Sequence, residues 1–199
     1  MNIRKKITVL ASILLLIVIS GCNTDSTMSA NEPGSLPKYG NGNIGSFDLS
    51  QEEIDGLIHM RIEEKLARDV YLVFDSLYNY KVFYNISISE QTHMDAVKRL
   101  LVKYNIEDPL VTDEIGVFPD PQFQQLFDNY IIQGNISLQE ALQTGVTIEE
   151  MDIADLENQL TNVVDNPDII KVYQNLKRAS ENHLAAFSKC LQTNPVDVE

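Results

Sequence analysis

Residues 89–95 read Ser-Glu-Gln-Thr-His-Met-Asp, and the architecture of the chain follows from where Glu90 and His93 fall in a long helical pattern. Side chains at positions i and i+3 project from adjacent turns of one helix face. A Glu-x-x-His pair on an inward face supplies ligands to dinuclear metal centres in the cores of helical bundles. This stretch therefore predicts a helix whose buried face carries two metal-ligating side chains.

The sequence on both sides of this stretch is helical from Leu49 onward. Capping-box signals, a Ser followed three residues later by Glu, occur at Ser50, Ser87 and Ser137. Pro167 suits the first turn of a further helix. We predict long helices at about 51–79, 88–104, 138–164 and 168–192, and a shorter one at 121–133. Strand signals are weak and confined to residues 81–88. The fold class is therefore all-α, a four-helix bundle with one long crossover that carries a short extra helix.

Each long helix has an apolar inward face, or seam, which is interrupted near its middle by Glu or His. The interruptions are Glu64, then Glu90 with His93, then Glu149, and finally His183. The fourth seam follows Leu176, Ala179, His183 and Ala186. An isolated buried carboxylate costs several kcal/mol unless it is paired or neutralised. Interruptions on all four seams therefore predict that these groups meet and share a cation.

Two motifs carry a resemblance to a known family. Residues 64–71, Glu-Lys-Leu-Ala-Arg-Asp-Val-Tyr, resemble the first-helix Glu-x-x-Ala-Arg-x-x-Tyr pattern of rubrerythrins and other ferritin-like proteins, and residues 89–95 resemble their second-helix ligand motif. With residues 148–156 and 182–187, they are similar to one uncharacterised bacterial and archaeal ferritin-like family, a domain of unknown function. The resemblance covers about residues 50–192. It implies a ferritin-like bundle with a dinuclear metal centre, and it does not indicate a substrate.

The resemblance also implies a ligand set. The positions that match are Glu64, Glu90, His93, Glu149 and His183. The departure is Ser180, because the family pattern has Glu three residues before its fourth-helix His. Asp152, one turn after Glu149, is our candidate replacement and would complete four carboxylates and two imidazoles. If nothing replaces that Glu, the site holds one ion, or two of which one is loosely bound.

Several neighbouring residues have alternative roles. Glu150 is the second choice to Glu149 as the third-helix ligand. Tyr71 either hydrogen-bonds a ligating carboxylate or is a core aromatic residue. His59 has no clear relation to the site and is expected to be a surface side chain. Oxygen-rich, imidazole-poor ligand sets suit iron, with manganese next and zinc as a further alternative.

The N-terminal segment predicts export. Residues 1–21 combine three basic residues with a short apolar run, which is typical of a secretory signal. Residues 19–22, Ile-Ser-Gly-Cys, resemble a lipobox, which implies cleavage before Cys22 and lipid on its thiol; an uncleaved anchor is the alternative. The predicted organisation is signal peptide 1–21, lipidated Cys and flexible linker 22–47, bundle 48–193 and C-terminal tail 194–199. Either way we expect an extracytoplasmic location at a membrane surface.

The composition excludes some functions. The net charge of −14 becomes −17 once residues 1–21 are removed, which argues against nucleic-acid binding.

Two ferrous ions bridged by carboxylates reduce dioxygen or peroxide, so the leading hypothesis is a lipid-anchored di-iron oxidoreductase of ferroxidase or peroxidase type. The alternatives are a non-catalytic metal buffer or carrier and a metal-free helical interaction module. The sequence indicates no particular protein partner.

Overall fold

The computed structural model describes residues 49–193, which form five α-helices and no strand. The helices are α1 Gln51–Tyr78, α2 Lys81–Lys103, α3 Pro121–Gly134, α4 Leu138–Asn162 and α5 Pro167–Thr193. The predicted all-α bundle is therefore confirmed, with α3 inside the long connection from α2 to α4. The predicted signal peptide, Cys22, the linker and the C-terminal tail lie outside the described residues. No described helix is long and apolar enough to cross a membrane.

Side-chain caps fix the helix starts that the sequence predicts. The backbone N–H of Glu53 donates to Ser50 Oγ at 3.1 Å, and the N–H of Ser50 donates back to Glu53 Oε2 at 2.9 Å. The other oxygen of Glu53 accepts from the N–H of Asn166 at 3.1 Å, so one carboxylate joins the starts of α1 and α5. At α4 one half of the predicted capping box is present, because Ser137 Oγ accepts from the N–H of Glu140, whereas the carboxylate of Glu140 accepts from Gln133. Each cap satisfies donors that the first helical turn leaves free.

The start of α2 differs from the prediction. The helix begins at Lys81, and Ser87 lies inside it, where Ser87 Oγ donates to the carbonyl of Tyr84 at 2.9 Å. Phe83 and Ile86 are buried on the face that packs into the core. Their packing outweighs the strand preference of residues 81–88, because most helix stability in a protein comes from burial of one face. The predicted cap at Ser87 was therefore wrong.

The helices form two closely packed pairs, α1 with α2 and α4 with α5, and α3 packs against α1 and α4. Only Asn79 and Tyr80 join α1 to α2, so these two helices run antiparallel. Asn79 makes the reversal with a left-handed φ of 48°, a conformation that Asn tolerates better than most residues. The crossover between α2 and α4 is held against α1 by ion pairs and hydrogen bonds, such as that from Lys65 Nζ to the carbonyl of Glu114 at 2.8 Å.

The apolar core has two parts. One cluster includes Leu66, Val70, Phe74, Ile148 and Phe187, and the other includes Leu57, Met60, Leu100, Leu156 and Leu176. On α2, α4 and α5, the residues between the two clusters include buried Glu, Asp, Ser or His side chains, and on α1 the buried Glu64 follows Met60 by one turn. These side chains form a polar level of the bundle with apolar packing on both sides.

The buried face of α5 differs from the predicted seam, because Ser180 and Phe187 are buried where Ala179 and Ala186 were predicted. Ala179 and Ala186 are only partly buried, and the buried positions on α5 are Ile169, Tyr173, Leu176, Ser180, His183 and Phe187. The fully buried ring of Phe187 packs against Tyr71 with ring centroids 5.1 Å apart, and this large contact outweighs the burial of small Ala side chains. Ser180 consequently lies in the seam.

Gly145 on α4 permits the close approach of α5, and its substitution should destabilise the bundle. A Cβ at position 145 would lie 2.8 Å from the ring of Phe187, which is fully buried and cannot move away. We expect Gly145→Ala to lower the free energy of unfolding by about 1–3 kcal/mol, measured by chemical denaturation.

Gly56→Ala is the matched control for this prediction. A Cβ at position 56 would meet only the flexible end of Gln159, so the better helix propensity of Ala should leave stability unchanged or raise it by up to about 1 kcal/mol. Equal effects of the two substitutions would contradict the assignment of Gly145 as a packing residue.

Candidate metal centre

Five buried side chains from four helices meet at the polar level of the bundle. They are Glu64 on α1, Glu90 and His93 on α2, Glu149 on α4, and His183 on α5. They make two groups of three, Glu64–Glu90–His93 and Glu90–Glu149–His183, and the nitrogen and oxygen atoms within each group lie within 4.8 Å of one another. Glu90 belongs to both groups, so its two oxygens connect them.

The distances describe a chain of carboxylates and imidazoles. His93 Nδ1 lies 2.7 Å from Glu90 Oε2 and 3.1 Å from Glu64 Oε2. His183 Nδ1 lies 2.8 Å from Glu90 Oε1 and 3.4 Å from Glu149 Oε2. The two imidazole rings are stacked, with centroids 5.6 Å apart. Both Nδ1 atoms thus face the carboxylates, and Glu90 lies between the two imidazoles.

Two hydroxyl groups contact this cluster from outside. Tyr71 Oη donates to Glu149 Oε1 at 2.6 Å, and its fully buried ring packs against Phe187, so Tyr71 has both of the roles that the sequence leaves open. Ser89 Oγ lies 3.0 Å from His183 Nε2 and 3.5 Å from His93 Nε2. Ser89 was not predicted as a site residue, although its position four residues before His93 places both on one helix face. Partners of this kind fix the orientation of ligating side chains.

The donor set fits a pair of divalent cations. Two buried carboxylate oxygens, Glu64 Oε1 and Asp152 Oδ1, have no hydrogen-bond partner among the described residues. Buried polar atoms without partners are rare in folded proteins, and a bound ion is one way to satisfy them. Carboxylate oxygens and imidazole nitrogens, without thiolate, suit iron and manganese. The residues therefore fit a carboxylate-bridged metal centre.

The structure places the other predicted site residues differently. Asp152 is buried on the seam of α4, outside both groups of three, and its Oδ2 accepts a hydrogen bond from Ser180 Oγ. Ser180, where the family pattern has Glu, thus contacts the residue that we predict to replace that Glu. Glu150 is exposed and is not brought to the site, so Glu149 is the carboxylate of α4 in the cluster.

Burial and the imidazole contacts set the pKa values of the cluster in opposite directions. Burial raises the pKa of Glu64 to about 8 and, together with the charge of Glu90, raises the pKa of Glu149 to about 7. Burial acts in the same direction on Glu90, but hydrogen bonds from His183 and His93 outweigh it and lower its pKa to about 2.

The pKa values of the two imidazoles are raised, because contacts with carboxylates outweigh burial. Burial acts to lower the pKa of His93, but its contacts with Glu64 and Glu90 raise it to about 11. The contacts of His183 with Glu149 and Glu90 likewise outweigh burial and raise its pKa to about 9. The metal-free cluster therefore holds protons at neutral pH, and these protons must leave when a cation binds.

The metal-free protein should lose stability as the pH rises from about 5 to 9. Over this range the folded state binds more protons than the unfolded state, because His93 and His183 titrate above the ordinary 6.5 and Glu64 and Glu149 above 4.5. Below that range the trend reverses. The pKa of Glu90 is lowered in the folded state, so the stabilisation that its ionised carboxylate contributes is lost as the pH falls towards 2. Denaturant unfolding of the full-length, metal-free chain from about pH 3 to pH 9 measures both slopes.

The control is Glu150→Gln, which changes an exposed neighbour of Glu149 and should leave the slopes unchanged. A stability that is independent of pH from 5 to 9 would contradict the gathering of these four groups in the metal-free protein.

Comparisons with known proteins agree on one group of relatives. Residues 53–198 match the family described as "Uncharacterized protein domain (DUF2202)". The chain is 53% identical over 157 residues to the uncharacterized protein MJ0754 of Methanocaldococcus jannaschii, covering 79% of this chain and 80% of that protein. The crystal structure of the hypothetical protein MJ0754 matches with a TM-score of 0.72 and 49% identity, over 80% of this chain and 86% of that one.

Proposed function

This chain belongs to the DUF2202 family, and we propose that it is a ferritin-like metal-binding protein that holds a dinuclear iron centre between α1, α2, α4 and α5. The observation that supports this function is the position of Glu90, whose two oxygens lie within 2.8 Å of the Nδ1 atoms of His93 and His183. A carboxylate shared between two ligand groups is what a bridged pair of cations requires.

The arrangement of the helices supports the ferritin-like assignment. Two antiparallel pairs are separated by one long crossover, and each of the four long helices contributes at least one side chain to the cluster. In ferritin-like di-iron proteins the ligands also come from the facing sides of four helices, with Glu-x-x-His pairs on two of them. Here α2 keeps that pair, whereas α5 keeps His183 and has Ser180 in place of Glu.

The proposed activity is oxidation of Fe(II) by dioxygen or peroxide. A pair of ferrous ions bound there would supply the electrons that reduce either oxidant. The protein itself would provide ligands and exclude water. Glu64 and Glu149, whose pKa values are about 8 and 7 in the metal-free cluster, would release their protons when the ions bind. Tyr71 Oη holds the carboxylate of Glu149 in place through its hydrogen bond.

We also propose that the metal domain works outside the cytoplasm on a lipid anchor at Cys22. The support is the basic and apolar composition of residues 1–21 followed by the lipobox-like residues 19–22. Residues 23–47 would then act as a tether of polar, Gly- and Pro-containing sequence. A tethered domain of this kind would meet metal ions at the membrane surface.

Metal content is the direct test of the proposed centre. After anaerobic loading with Fe(II), the full-length chain in detergent should retain about two irons per chain, the number expected for a carboxylate-bridged dinuclear centre. The variant His93→Ala/His183→Ala should retain neither of the two, because it removes both nitrogen ligands. Elemental analysis after removal of free metal measures the ratio, and Glu150→Gln is the matched control that should keep both ions.

The same samples separate the remaining hypotheses. Oxygen or peroxide consumption on addition of Fe(II) would support an oxidoreductase, whereas two bound irons without turnover would support a metal buffer or carrier. No retained metal in a chain of unchanged helical content would contradict the centre and favour a metal-free interaction module.

Asp152 should matter for the second ion. We expect Asp152→Asn to lower the iron content from about two to about one per chain, because the substitution removes the charge of a candidate ligand while preserving its size. Glu150→Gln, which removes a charge from the exposed side of the same helix, is the control. An unchanged iron content in Asp152→Asn would remove Asp152 from the ligand set and leave the centre with three carboxylates.

A further inference from the structure

A second cluster of potential metal ligands lies outside the candidate centre. It consists of His59 and Glu63 on α1 and Asp155 on α4, and none of the three belongs to either group around Glu90. His59 Nε2 lies 3.4 Å from Glu63 Oε2 and 3.5 Å from Asp155 Oδ2. One ligand atom from each residue lies within 4.8 Å of the others.

Glu63 is the unusual member of this cluster. Its side chain is only 1% exposed, and neither of its carboxylate oxygens has a hydrogen-bond partner. A buried carboxylate without hydrogen bonds is costly, whereas the charge becomes favourable when a cation is bound beside it. Glu63 Oε2 lies near His59 Nε2, so the unpartnered group faces the place where a cation would be held.

The geometry around Glu63 suits a transition-metal cation. Two ligands about 2.1 Å from a tetrahedrally coordinated zinc ion are about 3.4 Å apart, close to the two separations found here. The imidazole of His59 packs against the buried ring of Phe123, with centroids 5.1 Å apart, which restricts its orientation. His59 and Glu63 therefore present their ligand atoms with little rearrangement.

The cluster is also open to solvent, unlike the candidate centre. The side chains of His59 and Asp155 are 46% and 44% exposed. Both line a surface pocket of about 390 Å³, to which Glu52 and Asp55 add further negative charge. An incoming cation can reach His59 and Asp155 from this pocket, and Glu63 contacts His59 from the buried side. Water can fill the coordination positions that the protein leaves open.

We propose that His59, Glu63 and Asp155 form an outer binding site for Zn²⁺. The site uses one imidazole and two carboxylates, with water from the pocket as the remaining ligands. It is separate from the proposed dinuclear centre, shares no residue with it, and stands whether or not that centre binds iron.

A competing explanation is an ion pair, in which a protonated His59 contacts both carboxylates without metal. The two explanations differ at one atom, because a protonated imidazole keeps its Nε2 proton whereas a metal ion replaces that proton. The chain offers a simple way to observe this atom. It has three histidines, so His59 is the single imidazole left in the variant His93→Ala/His183→Ala.

The test is a titration of that variant, full-length and without a histidine tag, with Zn²⁺. We expect the imidazole ¹⁵N resonances of His59 to shift and to saturate at one zinc per chain. Adding Glu63→Gln should weaken zinc binding at least about tenfold, because the neutral amide replaces a charged ligand of nearly the same shape.

Asp55→Asn is the matched control, because it removes one charge from the same pocket but lies outside the cluster. It should change the affinity less than about twofold, since exposed charges are screened by solvent. Resonances of His59 that do not move at stoichiometric zinc would overturn the proposal, as would equal weakening by Asp55→Asn and Glu63→Gln.

A second measurement covers the case in which the double variant does not fold. In the otherwise unchanged full-length chain, Glu63→Gln should lower the number of bound zinc ions by one, whereas Asp55→Asn should not. Loss of no ion in Glu63→Gln would overturn the outer site, and it would leave the proposed centre unaffected because Glu63 is not among its ligands.

Discussion

The burial of charge at one level of the bundle is the constraint on which the rest of the structure depends. Glu64, Glu90 and Glu149 are each about 2% exposed, and removing carboxylates from water costs more than apolar packing beside them returns. The two imidazoles offset part of this cost, because each lies within 2.8 Å of an oxygen of Glu90. The two apolar clusters on either side then exclude the water that would otherwise solvate the charges. A polar level of this kind is stable only if its charges are matched, by protons or by cations.

Much of the fold could be predicted from local sequence signals. The start of α1 follows from the Ser50–Glu53 capping box, and the start of α5 lies at Pro167, one residue before the prediction. The start of α2 could not be predicted in the same way, because Ser87 and Glu90 have the spacing of a cap but lie inside the helix. What extends α2 back to Lys81 is the burial of Phe83 against rings on α1 and α5, and a local pattern contains no information about those partners.

The site was predictable where its residues recur at helical spacing, and less so where a partner on another helix decides the outcome. Glu90 and His93 are evident from their spacing, whereas Ser89 becomes relevant only because His183 on α5 approaches it. His59 is exposed as predicted, but its relation to Asp155 depends on how α1 and α4 pack. Glu63 was missed for a related reason. The middle of α1 is buried on nearly all sides because the crossover covers it. The periodicity of one apolar face therefore cannot distinguish a residue that faces the core from a residue that lies under the crossover.

The pairing of Ser180 with Asp152 has a consequence for the number of bridging ligands. In the ferritin-like pattern that the sequence resembles, a Glu at position 180 would bring a second long carboxylate from α5. Here the hydroxyl of Ser180 binds Asp152 Oδ2, which leaves only Oδ1 of that residue without a partner. A side chain with one free oxygen can ligate a single ion, so Glu90 remains the carboxylate that contacts both imidazoles.

Two ions that share one bridging carboxylate have less similar surroundings than two ions that share a pair of bridging carboxylates. The proposed ion beside His93 and Glu64 would have its ligands on α1 and α2, which pack closely together, whereas the proposed ion beside His183 would depend on Glu149 and on the contact between α4 and α5. Replacing one Glu by Ser thus makes the two halves of the proposed centre chemically distinct, even though the number of carboxylates is unchanged.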